Sequence, residues 1–224
     1  VHVGAIQAAK AAELADHAHR VGADAVSSIP PFVGGYSWAE VRTFYSDLAA
    51  ASKLPVIAYY IPGLTGQPRT VDELSSLLEI KNIGGYKYTE YNLYTMQRIL
   101  ARFRPDQIMY NGPDEMLALG LQFGAHGGIG TTYNFMPELI LKIQALCQAG
   151  QFAEAVKVQK QADDIIEPLL LSHGLAASKQ ILYWQGLIDH PHCVAPRALL
   201  TEPQKAELRR RLASTAIADS LVRG

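Results

Sequence analysis

Lys87 stands in Gly84-Gly85-Tyr86-Lys87-Tyr88-Thr89, where a short apolar run ends, and Tyr59-Tyr60-Ile61-Pro62 closes the apolar run before it. A lysine at the end of a buried strand is costly unless its amine has a task there. Schiff-base formation with a carbonyl compound is the task that fits. The alternative is a lysine whose stem lies along the sheet while its ammonium reaches water. Tyr59 bears on that choice. On neighbouring strands the two backbones lie roughly 5 Å apart, and a phenol beside an amine can pass the protons that carbinolamine and enamine chemistry needs. Its own alternative is a core tyrosine whose hydroxyl is satisfied by a backbone group. Tyr60, one residue on, points to the opposite face and packs.

The elements that must position these side chains follow an alternating rhythm. Strands are expected at Val1–Val3, Asp24–Ser28, Pro55–Tyr59, Ile83–Lys87, Gln107–Tyr110 and Gly127–Ile129. Between them the periodicity predicts helices at Ala8–Val21, Trp38–Ala51, from Thr70 onward, Leu93–Phe103, Asp114–Phe123 and Pro137–Ala149. Asp72 and Glu73 in a first turn mark the start of the third helix. Such units imply parallel strands joined by right-handed crossovers. After Gly150 the strands stop, and Phe152–Leu171, Leu175–Ile188 and Pro203–Ala216 read as helical. The division expected is therefore an α/β catalytic part over 1–150 and a C-terminal helical extension over 151–224.

Six strands fall short of the eight a closed barrel needs. An open doubly wound sheet could be built from six, but it would carry a Gly-rich phosphate turn after its first strand, and Val1-His2-Val3-Gly4-Ala5 has none. The preferred expectation is a (β/α)8 TIM barrel whose first two βα units lie outside this sequence.

With 20 basic and 21 acidic residues the chain has no basic field for nucleic acid. No apolar stretch reaches the roughly 18 residues of a membrane span, and no signal peptide is recognisable. Cys147 and Cys193 form no metal-ligand pair, and a cytoplasmic location is the expectation. His190-Pro191-His192-Cys193 has metal-like composition, but Pro191 marks a surface turn with no further ligand at the right spacing. His17 and His19 read as solvated, and His126 is given no role. Gly124-Ala125-His126-Gly127-Gly128-Ile129-Gly130 lacks the ending of a nucleotide-binding loop.

Four segments together carry a resemblance: Tyr59 through Gly66, Gly85 through Thr89, Tyr110-Asn111-Gly112-Pro113-Asp114-Glu115, and Gly127 through Asn134. In order and spacing they resemble the N-acetylneuraminate lyases, which belong to the pyruvate-dependent class I aldolases that include dihydrodipicolinate synthase. The resemblance implies a (β/α)8 barrel with a helical extension, assembled as a homotetramer, acting on a sugar acid and pyruvate without metal or organic cofactor. It implies that Lys87 forms the Schiff base and that Tyr59 transfers protons near the substrate carboxylate. It places Thr89 near the pyruvyl group, and Gly112, Asp114, Glu115, Gly130 and Thr131 along the sugar chain. Carboxylates, as acceptors only, suit a polyol that offers O–H donors. Without the resemblance, Asp114-Glu115 reads equally as helix N-terminal charge.

Dihydrodipicolinate synthases resembling this chain carry an arginine where Leu64 stands, and leucine cannot hold a dicarboxylic partner. Two departures from the resemblance bear on function. The Gly-Thr-Thr-Gly-Glu-like loop that would bind the substrate carboxylate is absent, and a tyrosine pair expected after Pro30-Pro31-Phe32 is replaced by Val33-Gly34, with Tyr36 nearby. The readings are therefore sialic acid cleavage, a related aldolase acting on another 2-keto-3-deoxy sugar acid or a dihydrodipicolinate synthase-like reaction, and a non-catalytic shortened product.

Overall fold

A computed structural model describes residues 1–31, 35–66, 68–170 and 174–223. These fall into two compact units: Val1–Pro113 with Phe123–Gly128, and Asp114–Gln122 with Ile129–Gly224. Val33, Gly34 and Leu171 lie outside the described residues. Among the described residues no helix is long and apolar enough to cross a membrane.

The first unit is a parallel sheet with helices on one face. Its strands are β1 (Val26–Ser28), β2 (Val56–Tyr60), β3 (Ile83–Tyr88), β4 (Ile108–Asn111) and β5 (Gly127–Gly128), paired in chain order. The helices are α1 (Ala8–Arg20), α2 (Trp38–Ala51), the single turn α3 (Pro62–Thr65), α4 (Val71–Leu78) and α5 (Leu93–Leu100). Neighbouring parallel strands in chain order, each joined through a helix, form the arc from which a (β/α)8 barrel is built. The expected first strand is reduced to one bridge, His2 with Ser27.

Local chemistry sets the helix starts. Ser37 with Glu40 and Thr70 with Glu73 form capping boxes that satisfy otherwise orphaned N–H groups of α2 and α4. Ala11, Ala15 and Ala18 fall on one stripe of α1 and are fully buried, the spacing that lets a helix lie flat on a sheet.

The two sheet faces differ. Ser28, Ala58, Tyr86 and Met109 occupy one register row on the helix-covered face, each at most 1% exposed. Tyr45 of α2 donates its hydroxyl to Ser28 O, and Tyr86 donates to Leu74 O of α4, pinning helices to strands. The next row, Tyr59, Lys87 and Tyr110, faces the other way and is only half-buried. Gly85 has φ +128°, and a Cβ there would meet the Ile108 backbone, so glycine is required two residues before Lys87.

The second unit is helical: α6 (Leu117–Gln122), α7 (Pro137–Gln148), α8 (Phe152–Leu170), α9 (Gly174–Trp184) and α10 (Glu202–Leu212), with 3-10 turns at Asp114–Met116, Thr132–Asn134 and Ala218–Ser220. Its core includes Met136, Ile143, Ile165, Ile181, Trp184 and Leu212. The helix expected at Asp114–Phe123 is split into a 3-10 turn and α6, and that expected at Leu175–Ile188 stops at Trp184. Gly186, at φ +78°, donates its N–H to Tyr183 O and closes the end in the left-handed conformation.

Candidate active site

In the first unit, β2 and β3 pair so that Tyr59 and Lys87 are direct register partners. The Lys87 Nζ lies 4.1 Å from the centroid of the Tyr59 ring. Among the described residues this amine has no carboxylate partner and no hydrogen bond, and the Tyr59 hydroxyl likewise bonds to nothing. A half-buried lysine held only by a ring face is not committed to an ion pair, and the phenol beside it is placed to exchange protons with it. Tyr60 packs as expected: it is 9% exposed, its ring lies 5.3 Å from that of Tyr88, and its hydroxyl accepts from Arg69 N. Burial pushes the phenols of Tyr60, Tyr86 and Tyr88 up, so those tyrosines stay neutral scaffolding.

Thr89 continues β3 past Lys87, and its N–H donates to Tyr60 O at 2.8 Å. Gly112 does the same for β4, donating to Tyr88 O at 2.8 Å. The Thr89 Oγ1 is shut from solvent without a hydrogen-bond partner among the described residues, as is the Asn111 Oδ1. Uncommitted polar atoms at the C-terminal ends of parallel strands are where this architecture holds its ligands.

In this unit, His2 lies beside the pair although sequence reasoning gave it no role. Its ring meets that of Tyr59 edge-on, with centroids 6.2 Å apart at 88°. Burial, then the Lys87 charge, hold its pKa below the ordinary value. The available signal was its parity: His2 pairs with Ser27, which shares a row with Ile57, two residues before Tyr59. A small cleft takes in Tyr59 together with Tyr36, Trp38, Tyr45 and Arg69, but not Lys87. Leu64, on α3, is 55% exposed.

The remaining expected residues belong to the second unit. Asp114 is 8% exposed, and its Oδ2 accepts from Thr132 N at 2.8 Å and Thr132 Oγ1 at 2.7 Å. Gly130 packs on that carboxylate so closely that any side chain would overlap it. Asp114 therefore ties its own turn to the 130–132 loop. Glu115 is half-buried and Thr131 exposed. Two residues outside the sequence expectation join them: Thr132, and Gln159 of α8, whose Nε2 donates to Asp114 O at 3.1 Å.

The histidines without an assigned role behave structurally. His126 Nδ1 accepts from Met109 N and lengthens the β4–β5 contact, and the rings of His190 and His192 stack at 5.4 Å. No group of three metal-ligating side chains occurs among the described residues.

The profile of the dihydrodipicolinate synthetase family matches residues 1–215. An N-acetylneuraminate lyase of Citrobacter koseri is 35% identical over 209 residues, covering 93% of this chain and 70% of the relative. One from Rhizobium meliloti is 40% identical over 190 residues, covering 85% of this chain and 63% of the relative. Among solved structures, a catalytic lysine mutant of the Ruminococcus gnavus sialic acid aldolase superposes with a TM-score of 0.88 at 28% identity, over 98% of this chain and 71% of that one.

Proposed function

The chain belongs to the dihydrodipicolinate synthetase family, and from that membership we propose that it is a class I pyruvate-dependent aldolase that cleaves N-acetylneuraminate to N-acetylmannosamine and pyruvate. Lys87 attacks the C2 carbonyl of the open-chain sugar acid. The carbinolamine loses water to give an iminium, with Tyr59 moving the protons. Tyr59, having given its proton to the departing water, takes the C4 hydroxyl proton as the C3–C4 bond breaks. The electron pair passes into the iminium, the aldehyde leaves, and an enamine remains on Lys87. Protonation at C3 and hydrolysis release pyruvate and restore the amine.

One observation carries this reading: the Lys87 side-chain nitrogen, with no carboxylate partner among the described residues, lies 4.1 Å from the centroid of the phenol ring on the register-paired strand. Thr89, whose Oγ1 is buried and unpartnered, is assigned to the pyruvyl group, with Gly112 allowing it to sit there. Asp114, Glu115, Gly130 and Thr131 are assigned to the sugar chain, Asp114 chiefly by shaping the loop and Glu115 by accepting from hydroxyls. The nature of the relatives, N-acetylneuraminate lyases, supports the substrate class.

Incubating the protein with pyruvate and borohydride, then mapping peptides by mass, tests the mechanism. A reduced pyruvyl adduct on the Lys87 peptide is expected. A folded protein with no adduct at Lys87 sinks the proposal. Turnover of N-acetylneuraminate against shorter 2-keto-3-deoxy acids tests the substrate, and preference for a shorter acid reassigns it.

A further inference from the structure

Gln159 stands on α8, 6% exposed, and its amide is tied to the turn that bears Asp114 and Glu115. Its Nε2 donates to Asp114 O at 3.1 Å and to Asp163 Oδ1 at 2.9 Å, while its Oε1 accepts from Ala118 N at 3.0 Å. Two acceptors and one donor admit a single orientation of the amide. Reversed, it would set oxygen against a carbonyl and a carboxylate, and NH2 against an N–H. Ala118 N is among the first N–H groups of α6, which have no partner within the helix. Gln159 thus supplies from α8 the acceptor that a local cap would otherwise provide.

The 3-10 turn Asp114–Met116 has weak hydrogen bonds of its own and depends on outside support. It is held at both ends: the Asp114 carboxylate is fixed by Thr132, and the Asp114 carbonyl and Ala118 N by one glutamine. Glu115 lies between these anchored points. Asp163 completes the arrangement by accepting the second N–H of Gln159 one turn along α8. Burial raises the Asp163 pKa, the Gln159 bond opposes that, and the charges of Glu115 and Asp164 add to it, so Asp163 and Glu115 feel each other.

We propose that Gln159 and Asp163 are positioning residues that fix the direction in which Glu115 presents its carboxylate to the hydroxyl-bearing end of a sugar acid, and so set affinity for that end and not for the pyruvyl end. The inference rests on the aldolase reading.

Gln159→Met, similar in size and without the amide, and Asp163→Asn, which keeps an acceptor and drops the charge, test it. Each is assayed for the pyruvate–borohydride adduct at Lys87 and for steady-state cleavage of N-acetylneuraminate. Gln159→Met leaves a buried carbonyl and N–H unmatched, and is expected to raise the KM for the sugar acid about tenfold or more. Its kcat should change less and its adduct yield should match the unsubstituted protein. Asp163→Asn should raise KM by a smaller factor, again with the adduct intact, and it decides the matter if Gln159→Met fails to fold. Unchanged KM in the folded variants overturns the inference, as does equal loss of adduct and cleavage, which marks a general packing role. Absence of the adduct in the unsubstituted protein overturns the aldolase reading instead.

Discussion

Gly112 packs against Thr89 so tightly that a Cβ at 112 would lie 2.7 Å from the Thr89 Cα and closer still to its hydroxyl. Backbone that near to backbone cannot be relieved by a rotamer change. Gly112→Ala is therefore expected to part the ends of β3 and β4, at about 1–3 kcal/mol of strain. A lowered thermal midpoint together with a slower pyruvate adduct would show it, and an unchanged midpoint would contradict the contact.

Thr89 offers the converse case. Its Oγ1 is buried and unpartnered among the described residues, which a folded protein tolerates only at some cost. Thr89→Val removes the hydroxyl and keeps the shape. The expected outcome is a fold as stable or more stable, by up to about 1 kcal/mol, with weaker pyruvate trapping. Loss of stability with full trapping would make Thr89 a structural residue.

Tyr59→Phe keeps a ring beneath the Lys87 amine and deletes only the hydroxyl, which bonds to nothing among the described residues. The fold should be unaffected. Cleavage should slow by about 10²–10⁴-fold, the usual size of a lost proton-transfer group. Equal rates for variant and parent would leave the phenol without a catalytic part.

How much of this could be read beforehand depends on the range of the contact. Tyr59 and Lys87 were legible because both close apolar runs, and in-order parallel strands bring run ends together. His2 was harder to place, since its segment makes a single bridge, His2 with Ser27, and only the parity of that pairing sets it on the Tyr59 face. The use of the Asp114 carboxylate was hidden too: its partner Thr132 is 18 residues away, and Gln159, which takes the Asp114 carbonyl, is 45. The sugar contact is what the resemblance implies for Asp114, and in the fold one of its oxygens also holds a loop. Helix ends were misjudged where one residue overrode periodicity, as Gly186 does after α9.

Asn82 shows how one side chain can support a strained turn. It has φ +70° just before β3, and its Nδ2 donates to Ala49 O, Ser52 O and Leu54 O. Asn82→Gly relieves the backbone and loses these bonds, while Asn82→Ala loses them and keeps the strain. Both should destabilise, Asn82→Ala by roughly 1 kcal/mol more than Asn82→Gly. Urea midpoints measure the order, and the reverse order would mean that φ is not the constraint.

His2 gives the acid side of the stability profile. Its folded pKa is depressed below 6.5 by burial, then by the Lys87 charge, so the folded protein resists a proton that the unfolded chain accepts. Between 6.5 and the depressed value the unfolded state binds more protons, and this group makes stability rise with pH. Its contribution is complete above 6.5 and is lost as the solution is acidified below it. His2→Phe keeps an edge toward Tyr59 and removes the titration. From pH 7 to pH 5 the parent is expected to lose more thermal stability than His2→Phe. Parallel profiles would mean that the imidazole is solvated in the native state, away from the Lys87 charge.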